Sequence, residues 1–286
     1  MRPDVIHAHF GYDAAVIRPF ARRLRIPLVL TVHGVDVTAM AEGESRQKRR
    51  YRKRLLRVFA DARLVLAVST FIRERAVALG AAEANTRLHY SGIPTAQLSD
   101  HPRTIDVLFV GRLVPKKGVD DLIRALKHVQ AVLPVAARIV GDGPLFDDLR
   151  RLADELSVNV EFVGALPPDD VRDLMDRTKV MAVPSKTAPD GDSEGLPTTV
   201  LEAAERGMGI VATRHSGIPD AINDGVEGLL SDEGDYVALA ENMLRLLQDD
   251  KRRQSLGVRA RASVVERFNS ARQMERLWEH YADILA

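Results

Sequence analysis

Short apolar runs, each closed by glycine, proline or serine, recur along the chain with helical patterns between them. DVIHAHF (4–10), PLVLTVHG (27–34), RLVLAVS (63–69) and the shorter RLHYSGIP (87–94) form a first group of strands. A polar piece, TAQLSDHPR (95–103), reads as a linker. The alternation then restarts with strands over 106–113, 137–142, 160–164, 179–184, 209–214 and 228–230. Helical patterns fall near 119–132, 145–156, 168–177, 198–206, 217–223 and 235–248, and the tail 251–286 reads as helix. These strands are continuous Val/Ile/Leu rather than alternating, which implies burial on both faces. Strand–helix alternation with doubly buried strands predicts α/β architecture with parallel, doubly wound sheets.

The expected organisation is two Rossmann-like domains, 1–98 and 104–265. A C-terminal helix over 266–286 is expected to cross back to the first of them. No internal repeat at solenoid periods is present.

The stretch 184–205, PSKTAPDGDSEGLPTTVLEAAE, organises the rest. A polar loop leaves an apolar run at Pro184, and a helix opens around Leu201, Ala203 and Ala204. Pro197 suits the first turn of that helix, where its missing N–H costs nothing. Backbone N–H groups from about Gly195 to Thr199 then point from the positive end of a helix dipole, where a phosphate can bind. Glu194 and Glu202 bracket the loop. A structural alternative stands beside this, because Thr199-Val-Leu-Glu202 also fits a capping box. Asp190-Gly-Asp192-Ser-Glu194-Gly195 imitates the start of an EF-hand loop, but Leu201 stands where the twelfth-position Glu belongs and Pro197 breaks the loop, so calcium is rejected.

Polar punctuation gathers at the strand ends of the second half: Gly111-Arg112, Gly141-Asp142-Gly143-Pro144, Val163-Gly164, Pro184-Ser185 and Ser216-Gly217. In open parallel sheets ligands sit outside the carboxyl ends of the strands, so five such ends together point to a nucleotide-sized ligand. Arg112 and the Lys116-Lys117-Gly118 run could share an anion and neutralise a diphosphate. The alternative is a solvated loop with surface cations. His33 closes a strand before Gly34 and is expected at the cleft between the domains, though a lone histidine is commonly a buried or surface residue. His7 and His9 alternate with apolar positions, lack a partner at metal-ligand spacing, and read as structural.

Residues 46–57, RQKRRYRKRLLR, hold eight Lys/Arg and no acid, with Tyr51, Leu55, Val58 and Phe59 recurring at helical spacing. This basic amphipathic helix is either a solvated face or a peripheral contact with an anionic membrane. Aromatic residues are not interleaved beyond Tyr51, which argues against nucleic acid. The net charge of +1 gives no global pull toward polyanions, and zero cysteines exclude disulfides, thiol catalysis and zinc–thiolate sites. No apolar run reaches membrane-spanning length and no leader is seen, so the expected location is cytoplasmic, with peripheral contact at the inner face of a membrane.

VGRLVPKKG (110–118), VGDGP (140–144), FVG (162–164), the Glu194/Glu202 pair within EGLPTTVLEA, and SGIPDAI (216–222) together resemble the retaining, nucleotide-sugar-dependent glycosyltransferases of family GT4, which have the GT-B fold. DVIHAHFG and TVHGVDVT extend the resemblance over nearly the whole chain. SKTAPDGDSEGLPTTVLEA with TRHSGIPDAI is similar to the exopolysaccharide branch of colanic-acid and amylovoran biosynthesis. The resemblance implies that Arg112 and Lys117 bind the donor diphosphate, with Gly111, Gly143 and Val163 beside the nucleotide. It places Glu194 on sugar hydroxyls, the Gly195-Leu196-Pro197-Thr198 backbone on sugar and phosphate, and Glu202 on the ribose. His33 would sit near the transferred sugar, joining Glu194, Arg112 and Lys117 in the catalytic set.

The implied reaction moves a sugar from a UDP- or GDP-sugar co-substrate to a saccharide or lipid-linked acceptor, with no metal and no further cofactor. Departures from the family pattern are Asp220 where Glu is usual and Pro115 before the lysine pair. The chain starts at what corresponds to the middle of the family's first domain. This leaves two alternatives: a truncated sugar-nucleotide-binding protein without turnover, and a homo-oligomer that completes the first domain.

Overall fold

The computed structural model describes residues 2–286. Two compact units make up the chain: the first joins the chain up to Pro94 with Ala188–Leu196 and Phe268–Ala286, the second joins Thr95–Thr187 with Pro197–Arg267. Residues 188–196, which fall within 104–265 in sequence, therefore group with the first unit.

The first unit is built on four parallel strands in the order β1-β2-β3-β4: β1 (Ile6–His9), β2 (Leu28–Val32), β3 (Leu64–Ala67) and β4 (Thr86–Leu88). In register, Ala8 lies opposite Leu30 and Leu30 opposite Val65. Every residue of β2 and β3 is buried, as continuous apolar runs require. Helices α1 (Gly11–Leu24), α2 (Arg46–Asp61) and α3 (Thr70–Ala78) connect the strands. Leu30, Val32 and Val65 of the sheet form one core with Leu55, Val58 and Phe59 of α2 and Ile72 of α3. The chain's last helix supplies a cover for further sheet residues, with its Leu277, Tyr281 and Ile284 packing on Val29, Leu64 and Leu66.

The second unit is a six-stranded parallel sheet in the order β10-β9-β8-β5-β6-β7, which reverses direction of growth next to β5. Its strands are β5 (Ile105–Val110), β6 (Ala137–Val140), β7 (Glu161–Gly164), β8 (Thr178–Val183), β9 (Gly209–Thr213) and β10 (Leu229–Ser231). Helices α4 (Val119–Gln130), α5 (Phe146–Glu155), α6 (Pro168–Asp176), α7 (Thr198–Glu205), α8 (Ile218–Ala221), α9 (Tyr236–Gln248) and α10 (Asp250–Arg267) surround it. Phe109, Leu122, Leu126, Val180, Val211, Met243 and Leu246 share its core.

Two stretches depart from the sequence reading. The polar piece after Pro94 is not a free linker: Ala96 N–H donates to Glu205 Oε1 at 2.9 Å, and Arg103 donates to the carbonyls of Thr178 and Arg206 at 2.9 and 2.7 Å. The helical tail is broken after Arg267, and α11 (Ser270–Leu285) starts afresh at Asn269, whose side chain accepts from the N–H groups of Ala271 and Arg272. Ile93 exchanges backbone bonds with Phe268 and Ser270 at 2.8 and 2.9 Å, pinning that break to the first unit.

Candidate functional site

In the first unit, the candidate chemistry gathers at the ends of β1 and β2. His9 Nδ1 lies 2.9 Å from His33 Nε2, and their rings stack with centroids 5.2 Å apart. The Phe10 ring also packs on His33, tilted, with centroids 4.4 Å apart. His7 shares hydrogen bonds with Tyr281 Oη (2.6 Å) and Thr31 Oγ1 (2.7 Å) and stacks on His9. His7, His9 and His33 line a cavity of about 200 Å³ together with His89, Ser91 and Gln273. Burial, then neighbouring histidines, lowers His7 to about 4. Burial and then His9 do the same to His33, and burial leads again for His89, with His280 next, so that each falls to about 4. All three are neutral at pH 7 and can both donate to and accept from hydroxyls. The structural reading of His7 holds through its two bonds. His9 is exposed and its ring nitrogen shares a hydrogen bond with His33.

Asp36 escaped the sequence reading altogether. Its carboxylate is fully buried; Oδ1 accepts from the N–H groups of His33 and Gly34, and Oδ2 from that of Gly11, each at 3.0 Å. Burial raises this carboxyl above its ordinary range, and the backbone donors counter that shift. The available signal was a short polar acceptor two residues past a strand-ending glycine, a common turn-locking pattern.

The segment carrying Glu194 packs on this turn. Gly34 (φ +147°) leaves little room for a side chain, since a Cβ there would lie 3.0 Å from Ser193 O and 3.2 Å from Gly195 N. Glu194, Gly195, Leu196 and Pro197 are all buried, whereas Thr198 is exposed.

In the second unit, glycines let the strand ends approach one another. A Cβ on Gly141 (φ +135°) would meet Gly111 O at 1.9 Å, and one on Gly143 would meet Leu113 O at 2.5 Å. The Lys117 stem runs past Gly111, with Cε 3.6 Å from the position a Cβ would take. Lys116 O accepts from Lys186 N–H at 2.8 Å, which ties the turn before α4 to the chain leaving β8. Arg112 is exposed and has no ion-pair partner among the described residues. Gly111, Arg112, Lys117 and Gly143 are thus brought together, and Gly141 N–H donating to Gly164 O at 2.8 Å links the Val163-Gly164 end to them.

The capping-box alternative for Glu202 is corrected. Pro197 takes the N-cap position, α7 has no side-chain cap, and Glu202 is the fifth residue of the helix, beyond reach of the cap. Glu202 is half-buried, and that burial raises its carboxyl, with Arg206 and Arg172 opposing. The buried partner-holding role falls to Glu205, which pairs with Arg206 (2.8 Å) and Arg261 (3.0 Å).

The membrane reading of α2 is corrected in one respect. Its apolar face is spent inside the first unit, with Leu55, Val58 and Phe59 at most 5% exposed and Tyr51 Oη donating to Asp36 O at 2.9 Å. What is left outward is a mainly cationic face, with Leu56 the one large apolar side chain exposed on it. No helix among the described residues is long and apolar enough to cross a membrane, and no group of three or more His, Cys, Asp or Glu that could hold a metal occurs among them.

Two family models match the chain, "Glycosyltransferase Family 4" over residues 1–97 and "Glycosyl transferases group 1" over residues 96–263. Amylovoran biosynthesis glycosyltransferase AmsK of Erwinia amylovora is 31% identical, over 98% of this chain and 70% of that protein. Putative colanic acid biosynthesis glycosyltransferase WcaL of Escherichia coli is 30% identical, over 94% of this chain and 68% of that one. Among solved structures, Anabaena HepE in complex with UDP superposes with a TM-score of 0.84 at 23% identity, covering 98% of this chain and 79% of HepE, and it has the same two-domain fold.

Proposed function

The chain belongs to the group 1, family 4 glycosyltransferases, and from that premise we propose a retaining, metal-independent transfer of a sugar from a nucleoside-diphosphate sugar to a saccharide acceptor carried on a lipid. The observation that carries the donor half is the cluster of cations and side-chain-free glycines at the β5 and β6 ends, Arg112 and Lys117 beside Gly111, Gly141 and Gly143. Such a cluster admits a diphosphate backbone-close and neutralises it. UDP is the favoured nucleotide on the strength of the HepE complexes with UDP and UDP-glucose, and GDP is the rival through a 32% identical relative from Mycolicibacterium smegmatis named as GDP-mannose-dependent.

Each residue then has one task. Arg112 and Lys117 hold the two phosphates and take up the charge that develops as the sugar–oxygen bond breaks. The first-turn N–H groups of α7, at Thr198 and Thr199, have no partner within the helix and add to that stabilisation. Glu202 accepts from ribose hydroxyls, Glu194 and the Gly195–Leu196 backbone hold the sugar, and Val163 borders the base. His33, neutral at pH 7, bonds a hydroxyl of the transferred sugar. The departing phosphate takes the acceptor's proton on the same face, which retains the anomeric configuration and requires no protein base. Exopolysaccharide assembly is the proposed setting, by analogy with AmsK and WcaL, in the cytoplasm and peripherally at the inner membrane face.

The test is nucleotide release from UDP-, GDP- and ADP-sugars with lipid extract as acceptor, comparing wild type with Glu194→Ala. Release by wild type alone, with product of the donor's own anomeric configuration by NMR, supports the reading. Binding of nucleotide with no release would favour a non-catalytic sugar-nucleotide-binding protein.

A further inference from the structure

The geometry points to Asp36 as a positioning residue for the transfer, one that acts through three backbone bonds to set both His33 and the seat on which the Glu194 segment rests; the catalytic part of this rests on the reading above.

The observations are independent of one another. Asp36 is fully buried, and a carboxylate is rarely buried unless its oxygens are occupied. Its donors come from two separate strand ends, Gly11 after β1 and His33 and Gly34 after β2. One side chain therefore ties together the two turns from which His9, Phe10 and His33 project. The first of these turns needs such a tie. Phe10 adopts φ 66°, a left-handed backbone that costs a non-glycine residue on the order of 1–3 kcal/mol. The bond from Gly11 N–H to Asp36 follows immediately, and the strained turn lays the Phe10 ring on His33 at 4.4 Å. The second turn is the seat itself, because Gly195 lies against the His33 carbonyl and Gly34 against the Ser193 carbonyl.

A carboxylate suits this task and an amide does not. Both oxygens accept, so an Asn would turn a donor toward a backbone N–H on one side or the other. Releasing either turn lets the His33 ring leave its stack and gain water. That change raises its titration midpoint, whereas removing the negative charge alone would lower it. The sign of the shift thus separates positioning from simple charge.

The experiment is the pH titration of the histidine imidazoles by nitrogen-edited NMR in wild type and Asp36→Asn. Alongside it, turnover of the donor sugar identified for wild type and affinity for UDP are measured. The expected result is a His33 midpoint moving from about 4 toward the ordinary 6.5, an unmoved His89, a kcat lowered at least tenfold, and unchanged UDP affinity. A folded Asp36→Asn whose His33 midpoint stays or falls overturns the assignment. If the variant does not fold, the wild type alone decides: the amide signals of Gly11, His33 and Gly34 should move together as Asp36 takes its proton, and independent movement overturns the tie. Absence of turnover in wild type would count against the proposed function, while the imidazole and amide titrations would still decide the role of Asp36.

Discussion

Gly195 lies so close to His33 that a Cβ on it would come within 1.9 Å of the His33 carbonyl oxygen and 2.8 Å of a Val68 methyl. Gly195→Ala must therefore push the Glu194 segment off its seat or strain it there. Overpacking of this kind costs about 1–3 kcal/mol. The expected outcome is a lower melting temperature together with reduced sugar transfer. A variant that melts and turns over like wild type would show that the segment does not rest on this carbonyl.

The histidine group predicts a pH dependence with a definite sign. His7 has a folded-state value of about 4 against an ordinary 6.5. Between those values the unfolded chain binds more protons than the folded one, so stability rises with pH through this window. The contribution is present above about 6.5 and is lost as pH falls toward 4. His7→Asn removes this titration and the bond to Tyr281 that helps hold α11. Thermal melts at pH 7 should place the variant below wild type, and the gap should shrink as pH approaches 4. A gap independent of pH would assign His7 only a packing role.

The strands were legible in the sequence because they are buried on both faces, and LVLTV and LVLA lie wholly inside. The gathering of Gly111, Arg112, Lys117 and Gly143 was legible too, since glycine and cation at a strand end announce themselves locally. What depends on distant contacts was not. Nothing in SKTAPDGDSEG marks residues 188–196 as part of the first unit, because that follows from Gly34 and Gly195 meeting across the sequence. The apolar stripe of α2 was read correctly as amphipathic, but periodicity cannot say whether the core or a lipid covers it. The capping box at Thr199–Glu202 failed because Pro197 starts the helix two residues earlier than that pattern requires. Asp36 was missed because one acid in a turn is common, and only its three donors set it apart.

The buried stripe of α2 sharpens the membrane question into a prediction. With Leu55, Val58 and Phe59 in the core, attachment of α2 to an anionic bilayer should rest mainly on outward cations such as Arg50, Arg54 and Arg57, each worth about 1 kcal/mol near the surface. Sedimentation with anionic vesicles should vanish at high salt and in the triple Arg→Glu variant, because exposed charges are screened within roughly 10 Å at moderate salt. Binding that survives salt would require an apolar contact larger than the single exposed Leu56 of α2 can supply.

Glu202 separates binding from stability. Burial already disfavours its charged form, and it does not cap α7, so the neutral isostere should be tolerated. Glu202→Gln is expected to leave the melting temperature close to wild type while weakening UDP by about 1.5–3 kcal/mol, the usual worth of a hydrogen bond to a charged group. Calorimetric titration with UDP and a melt without ligand check both halves. An equal loss of stability without ligand would return Glu202 to a structural role.

Arg112 offers the most direct test of the donor site. It is exposed, has no acidic partner among the described residues, and stands just past the end of β5, beside the closely approaching Gly141 and Gly143 turn. Removing it should not disturb the fold, because nothing in the core depends on it. Arg112→Ala should therefore weaken UDP by about 1.5–3 kcal/mol at an unchanged melting temperature. Arg112→Lys keeps the charge but loses the planar fork that grips two phosphate oxygens at once. If the fork matters, Lys should recover only part of the affinity, and its UDP binding should fall more steeply with salt than that of wild type. Full recovery by Lys would mean that charge alone is read at this position, and no loss in the Ala variant would remove Arg112 from the donor site.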